Sequence, residues 1–278
     1  MQRRKATTWW VLATLIAILI GIGLVPPDND SPEATNAPEA TNAPEVTNTS
    51  EVTNASEDSN TSEDSEHANA LADAEQLRQK HEATKAKIAK TAAWDHTLDE
   101  NGEVIALCLQ YLTATDERME HVKTFKHLRK FDLDRSSAVD ATLVHLEGLQ
   151  KLAILDLDHT VVTDAGLVHL KGLKNLESLY LSATKVTDAG LAHLEPLTNL
   201  KRLRLNQTGI TDAGLAHLGG LENLEQLYLR RTEIGDAGLV HLFGLKKLRR
   251  MNLYRTHVTE AGIQRLQQAL PECEIWGL

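Results

Sequence analysis

An α/β solenoid is the fold class that the sequence predicts, and three observations carry the prediction. First, the segment TDAGLVHLKGLKNLESLYLSAT begins at Thr163 and returns with a 24-residue period. Close copies start at Thr187 and Thr211, weaker ones at Thr115, Val139, Gly235 and Thr259. Second, each copy pairs an L-x-x-L-x-L stretch with a helix-starting T-D-A-G-L stretch, one apolar unit of each kind. Third, the last copy breaks the pattern with a longer amphipathic segment. A unit of this length cannot bury its apolar side alone, so copies must stack on their neighbours. About seven repeats then give parallel strands on a concave face and short helices on the convex face.

Residues 1–27 form a cytoplasmic start and membrane anchor in this reading. TTWWVLATLIAILIGIGLV, residues 7–25, carries no charge. As a helix it spans roughly 28 Å, the hydrocarbon thickness of a bilayer. Trp9 and Trp10 suit the interface, and Arg3, Arg4 and Lys5 hold the N-terminus in the cytoplasm, which places the repeats in the periplasm or outside the cell. A cleaved signal peptide is the alternative and would make the protein secreted; no A-x-A site follows the apolar run, and no Cys marks a lipoprotein.

Residues 28–67 read as a disordered linker of hexapeptides such as PEATNA and SEDSNT. It carries eleven carboxylates and no Lys or Arg, with nothing to bury. Its charge of −11, against +3 before it, leaves only −2 of the total −10 for residues 68–278. The acidity therefore belongs to the linker, and nothing points to nucleic-acid binding. Asn48, Asn54, Asn60 and Asn206 stand in N-x-S/T sequons. Residues 68–103 read as a helical spacer or cap: a helix over 69–93 with a thin stripe of Leu77, Ile88 and Ala92, then a tight turn at Asp99–Gly102.

The repeat domain spans 104–278. Its strand segments are Leu152–Leu157, Leu176–Leu181, Leu200–Leu205 and Leu224–Leu229, with variants at Val104–Leu109, Leu128–Leu133 and Leu248–Leu253. Strand alternation points Leu155 and Leu157 inward and Ile154, Asp156 and Asp158 outward. Val162, Leu167, Leu170 and Leu173 complete the core of that unit, while Thr163 and Asp164 are helix N-capping types. The terminal AGIQRLQQALPECEIWGL supplies a lid of helix and strand. Cys108 and Cys273 sit at opposite ends of the array, too far apart for a disulfide.

These residues resemble the leucine-rich-repeat family, and the T-D-A-G-L half resembles a subtype of bacterial surface proteins and the repeats of F-box adaptors. The resemblance covers residues 104–278. It departs where many such repeats carry Asn or Cys: this chain has Thr160, Thr184, Thr208, Thr232 and Thr256.

The outward positions fall into rows. All four tyrosines, Tyr111, Tyr180, Tyr228 and Tyr254, land on them. Charge is segregated: Asp132, Asp134, Asp156 and Asp158 come early, and Arg202, Arg204, Arg230, Arg231, Arg250 and Arg255 late. Tyr and Arg favour binding hot spots, so Tyr180, Arg202, Arg204, Tyr228, Arg230 and Tyr254, with Asp132, Asp156 and Asp158, form the expected contact patch for a protein or peptide. Two other readings compete: a self-associating structural spacer, and a polysaccharide binder stacking sugars on tyrosine.

Catalytic motifs do not survive alignment. ILDLDHTVV, Ile154–Val162, matches the D-x-D-x-T signature of haloacid-dehalogenase-like phosphotransferases, a resemblance that would make Asp156 the nucleophile and Asp158 the acid/base. By period, however, Asp156 stands where Tyr180, Arg204 and Tyr228 stand, and Thr160 is the repeat threonine. The histidines His121, His145, His169, His193, His217 and His241 recur every 24 residues, a position expected to pack and to hydrogen-bond the neighbouring turn. The reading has no enzyme activity, cofactor or metal.

Overall fold

The computed structural model describes residues 61–277. The anchor at 7–25, the linker up to residue 60 and three of the four sequons lie outside the described residues. Among the described residues no helix is long and apolar enough to cross a membrane. Two compact units divide the chain, Met1–Arg78 and Gln79–Leu278, with the boundary inside one helix.

That helix runs over Thr61–Thr91, starting earlier than the sequence suggested. Extending a formed helix costs far less than nucleating one, so burial is not needed at its open end. In the second unit its covered side is Thr84, Ile88 and Thr91. Ala92 is not part of that stripe; it takes the left-handed conformation (φ 54°) and ends the helix. Thr91 Oγ1 donates to Ile88 O at 2.7 Å, satisfying a terminal carbonyl.

Nine strands follow in a single sheet ordered as in the chain. β1 (Asp95–Leu98) runs antiparallel to β2 (Val104–Cys108). The turn between them is held by Asp99 Oδ1, which accepts from Asn101 N and Glu103 N, both at 2.9 Å. β3 (Lys130–Asp132), β4 (Ile154–Asp156), β5 (Ser178–Tyr180), β6 (Arg202–Arg204), β7 (Gln226–Tyr228), β8 (Arg250–Asn252) and β9 (Glu274–Trp276) are parallel, each in 24-residue register with the last. Strand β1 had no sequence signal. Asp-His-Thr-Leu lacks an apolar alternation, because its work is to pair backbone at the first open edge.

Short α-helical turns pack behind the strands at Asp116–Val122, Asp140–Val144, Asp164–Leu167 and Asp188–Leu191. The next two units use 3-10 turns at Gly214–Leu218 and Gly238–Leu242, and the terminal unit a longer helix at Glu260–Ala269. Leu155, Leu157, Val162, Leu167, Leu170, Leu173 and Leu176 are fully buried, as are their equivalents in the next two units. Each such side chain is worth about 1.5–3 kcal/mol of burial.

Hydrogen-bonded ladders fix one unit on the next. Asp140 accepts from Thr163 N (2.8 Å) and from Thr163 Oγ1 (2.7 Å). Asp164 does the same for Thr187, Asp188 for Thr211 and Asp236 for Thr259. Asp212 meets Gly235, which offers only its N–H, at 2.7 Å. Thr163 does cap its own helix, accepting from Ala165 N, but Asp164 does not: its carboxylate is spent on the following repeat. A second ladder runs from Asn175, Asn199 and Asn223, whose amides donate to the backbone carbonyls of Gln150, Lys174 and Thr198.

The rungs also explain the glycine of T-D-A-G-L. A Cβ added at Gly166 would sit 2.6 Å from Asp140 Oδ1, and one at Gly238 2.5 Å from Asp212 Oδ1; Gly190, Gly214 and Gly262 meet their aspartates in the same way. The repeat threonines at the departure from the family pattern turn inward instead. Thr160, Thr184, Thr208 and Thr232 each donate to the carbonyl three residues back, at 2.6–2.7 Å. They close a turn whose preceding residue is left-handed in every unit, from Tyr111 to Arg255.

A double-mutant cycle tests the rung. Gly190→Ala is expected to cost about 1–3 kcal/mol through overpacking, and Asp164→Ala a similar amount through lost charge-assisted hydrogen bonds. Because the new methyl fills the space of the missing carboxylate, the double variant loses less than the sum of the singles. Additive costs in chemical denaturation would remove the steric reason for the glycine.

Candidate binding face

Parallel strands about 4.8 Å apart put equivalent side chains of successive units shoulder to shoulder on the open sheet face. One row reads Cys108, Asp132, Asp156, Tyr180, Arg204, Tyr228, Asn252 along β2 to β8, aligned by the backbone register. It is longer than the repeats suggested. Asp95 of β1 pairs with Cys108 at one end, and Trp276 of β9 pairs with Asn252 at the other. Trp276 is 39% exposed, and with Tyr180 and Tyr228 it places an aromatic ring on every second strand from β5 to β9. The sequence predicts a last strand, and the pairing of Ile275 with Met251 is what brings the tryptophan into the row.

At the early end the carboxylates are engaged within the fold. Asp132 Oδ2 accepts from Gln110 Nε2 at 2.8 Å, and its Oδ1 from Asp134 N at 3.1 Å. Asp134 lies 3.0 Å from His159 Nδ1 and 3.6 Å from Arg135 Nε. Asp156 Oδ1 accepts from Asp158 N. Asp158, read as facing solvent, is in fact buried: it accepts from Ser182 N, and Arg204 Nη1 approaches it to 3.6 Å. Burial raises its pKa, against the hydrogen bonds from Ser182 and the charges of Arg204 and His159. Burial likewise pushes Asp156 up to about 7, opposed by the bond from Asp158 N and reinforced by the charges of Asp158, Asp132 and Asp134. A shallow depression of about 350 Å³ opens beside this end, lined by Asp95, Thr97, Cys108, Gln110, Lys130 and Asp132 among others. Among the described residues no His, Cys, Asp or Glu cluster has metal-binding geometry.

At the late end aromatic rings and guanidinium groups alternate. Arg204 stands between two tyrosines, its Cζ 4.2 Å from the Tyr180 centroid and 5.9 Å from that of Tyr228. Tyr254 lies between Arg230 (5.6 Å) and Arg255 (5.5 Å). Arg202 Nε donates to Ser178 Oγ at 2.9 Å. Asn206 bridges neighbours, donating to Ser182 Oγ and accepting from Arg230 N; its amide is committed to the sheet, as is the buried Thr208 hydroxyl of that sequon. Arg230 Nε is buried with no hydrogen-bond partner.

The histidine series is on the other side of each unit and is not uniform. His169 and His217 each lie 2.6 Å from a glutamate of the preceding turn, Glu147 and Glu195. His193 has Lys171 at the corresponding place; burial and that charge lower its pKa, with Asp164 opposing. Both cysteines are free thiols; burial raises Cys273 to about 11.

The Asp156 shift carries a testable sign. A carboxyl with a raised folded pKa contributes stability that is full below the ordinary aspartate value of about 4 and is lost as pH rises through about 7. Thermal unfolding of the wild type is therefore expected to lose more between about pH 5 and pH 8 than that of Asp156→Asn, which keeps the Oδ1 acceptor. Parallel curves for the two proteins would contradict the assignment.

A family model described as a leucine-rich repeat matches residues 197–219 and 220–243. Among solved structures, internalin C2 of Listeria monocytogenes is similar over 70% of this chain and 92% of its own, at 19% identity and a TM-score of 0.51. A leucine-rich-repeat protein of Leptospira interrogans covers 56% of this chain and 44% of its own (20% identity, TM-score 0.43). An internalin, inlF, of Listeria monocytogenes covers 56% of each (19% identity, TM-score 0.37). No curated protein sequence matches. At such identity the first likeness speaks for the fold alone, a solenoid of leucine-rich repeats.

Proposed function

We propose that this leucine-rich-repeat protein is a non-catalytic binding module that holds a protein or peptide on its open sheet face. Leucine-rich-repeat domains typically mediate such interactions. One observation carries the reading here: tyrosine, arginine and tryptophan occupy sheet-face positions where the fold does not require them. Tyr180, Arg202, Arg204, Tyr228, Arg230 and Tyr254 are the contact residues, extended by Trp276. Asp132 and Asp156 set the opposite polarity and orient the partner, while Asp158 is buried against Ser182 and Arg204 and takes no part in contact. The same geometry favours protein over polysaccharide. Sugar stacking needs an open ring face, and the Arg204 guanidinium covers one face of Tyr180.

The apolar, uncharged residues 7–25 support placement at the cell envelope, anchored with the N-terminus in the cytoplasm and the repeats exported. Cleavage of that segment would give a secreted protein with the same binding face.

Affinity capture from envelope extract tests the function, using the full chain beside a Tyr228→Ala, Arg230→Glu, Tyr254→Ala variant whose folding is verified by circular dichroism. A protein retained by the wild type and lost by the folded variant is the expected result. Equal capture by both forms, or by neither, would leave the structural-spacer reading in its place.

A further inference from the structure

We infer that the segment received by this face is an extended acidic stretch of another polypeptide, held by Arg202, Arg230, Arg231, Arg250 and Arg255 across β6 to β8. The inference rests on the binding-face reading and adds the chemistry of the partner. Its ground is an asymmetry in how the two ends of the face satisfy their charge.

At the acidic end the fold answers its own carboxylates. Gln110, the Asp134 and Asp158 amides, His159, Ser182 and Arg204 all approach them. Each of the four carboxylates there has a donor from the protein itself. At the basic end the opposite holds. Among the described residues, none of the five arginines has a carboxylate within ion-pair distance. Arg202 stands in register between Ser178 and Gln226, and Arg230 and Arg255 flank the Tyr254 ring; these neighbours accept single hydrogen bonds or stack but carry no compensating charge. Glu274, in register with Arg250, receives the Trp276 indole N–H at 3.2 Å instead.

Like charges on adjacent strands repel, and the fold gains nothing by collecting them. Arg231 and Arg255 even stand at left-handed backbone positions (φ 57° and 59°), where glycine would sit without strain. The chemical specification comes from the guanidinium group itself, whose N–H edge matches a carboxylate through paired bonds. Glu and Asp side chains of an extended peptide supply such groups.

Two other polyanions fit the face less well. A nucleic-acid backbone carries charge along its whole length, and continuing past β5 it would meet Asp132, Asp134, Asp156 and Asp158. An acidic glycan would need to stack its rings, and the arginines occupy faces of the tyrosines.

The experiment uses the full chain in non-ionic detergent and labelled poly-glutamate, with poly-lysine and single-stranded oligothymidine as comparators, read by fluorescence anisotropy. Poly-glutamate is expected to bind saturably and more tightly than either comparator, with affinity falling as ionic strength rises. Arg202→Gln and Arg230→Gln each weaken it about tenfold, the loss of a charge-assisted contact. Lys171→Gln, which removes the same charge from the helical side, leaves it unchanged. Melting temperatures establish that each variant is folded, and Arg202→Gln decides the matter should Arg230→Gln unfold. The proposal falls if poly-glutamate does not bind, if both arginine variants bind it undiminished, or if the oligonucleotide binds more tightly. If poly-glutamate fails while envelope capture still depends on Tyr228, Arg230 and Tyr254, only the acidic chemistry is lost; if both fail, the binding face itself is lost.

Discussion

The inter-repeat carboxylate rung is the interaction on which the rest depends. Each rung aspartate accepts two hydrogen bonds from the first residue of the next unit's T-D-A-G-L, or one where that residue is Gly235. A leucine core is non-directional and tolerates sliding of one layer over another. Two bonds to one carboxylate do not, so the rung fixes both the translation and the rotation of successive units. The glycine three residues after each threonine position follows as a steric consequence, and the 24-residue register from β3 to β8 follows with it. Without that register there would be no rows, and side chains from distant parts of the chain would not converge on one face.

Most of this architecture was legible because it repeats. A leucine recurring every 24 residues can only be core, and strand alternation then assigns its neighbours to the open face. What stayed hidden does not repeat or does not act locally. β1 covers an edge with backbone, so its sequence needs no pattern. Trp276 belongs to a row but sits in the lid, where the period had dissolved. Asp164 has the chemistry of a helix cap, and no local signal tells a carboxylate that turns back on its own helix from one that reaches 23 residues onward. Asp158 alternates outward as predicted, yet Ser182 and Arg204 of the following units cover it. Exposure is a property of the neighbours, not of the strand.

The close spacing of the rows also decides what the face can hold. Strands about 4.8 Å apart leave no room for aromatic rings to lie flat, so neighbouring planar groups must share their faces. The chain meets that constraint by alternating ring and guanidinium, Tyr180–Arg204–Tyr228 in one row and Arg230 with Arg255 about Tyr254 at the strand ends. Stacking restrains Arg204, Arg230 and Arg255 before any partner arrives, which removes part of the ordering cost that flexible side chains otherwise bring to binding. Stacking does nothing, however, for charge. An aromatic face weakly stabilises a cation but supplies no acceptor for its N–H edge. The early strands solve the same crowding differently, with amide, hydroxyl and backbone donors set among the aspartates. At one end of the sheet each carboxylate is therefore met by a donor of the fold, while at the other the unmet demand is for hydrogen-bond acceptors that carry negative charge.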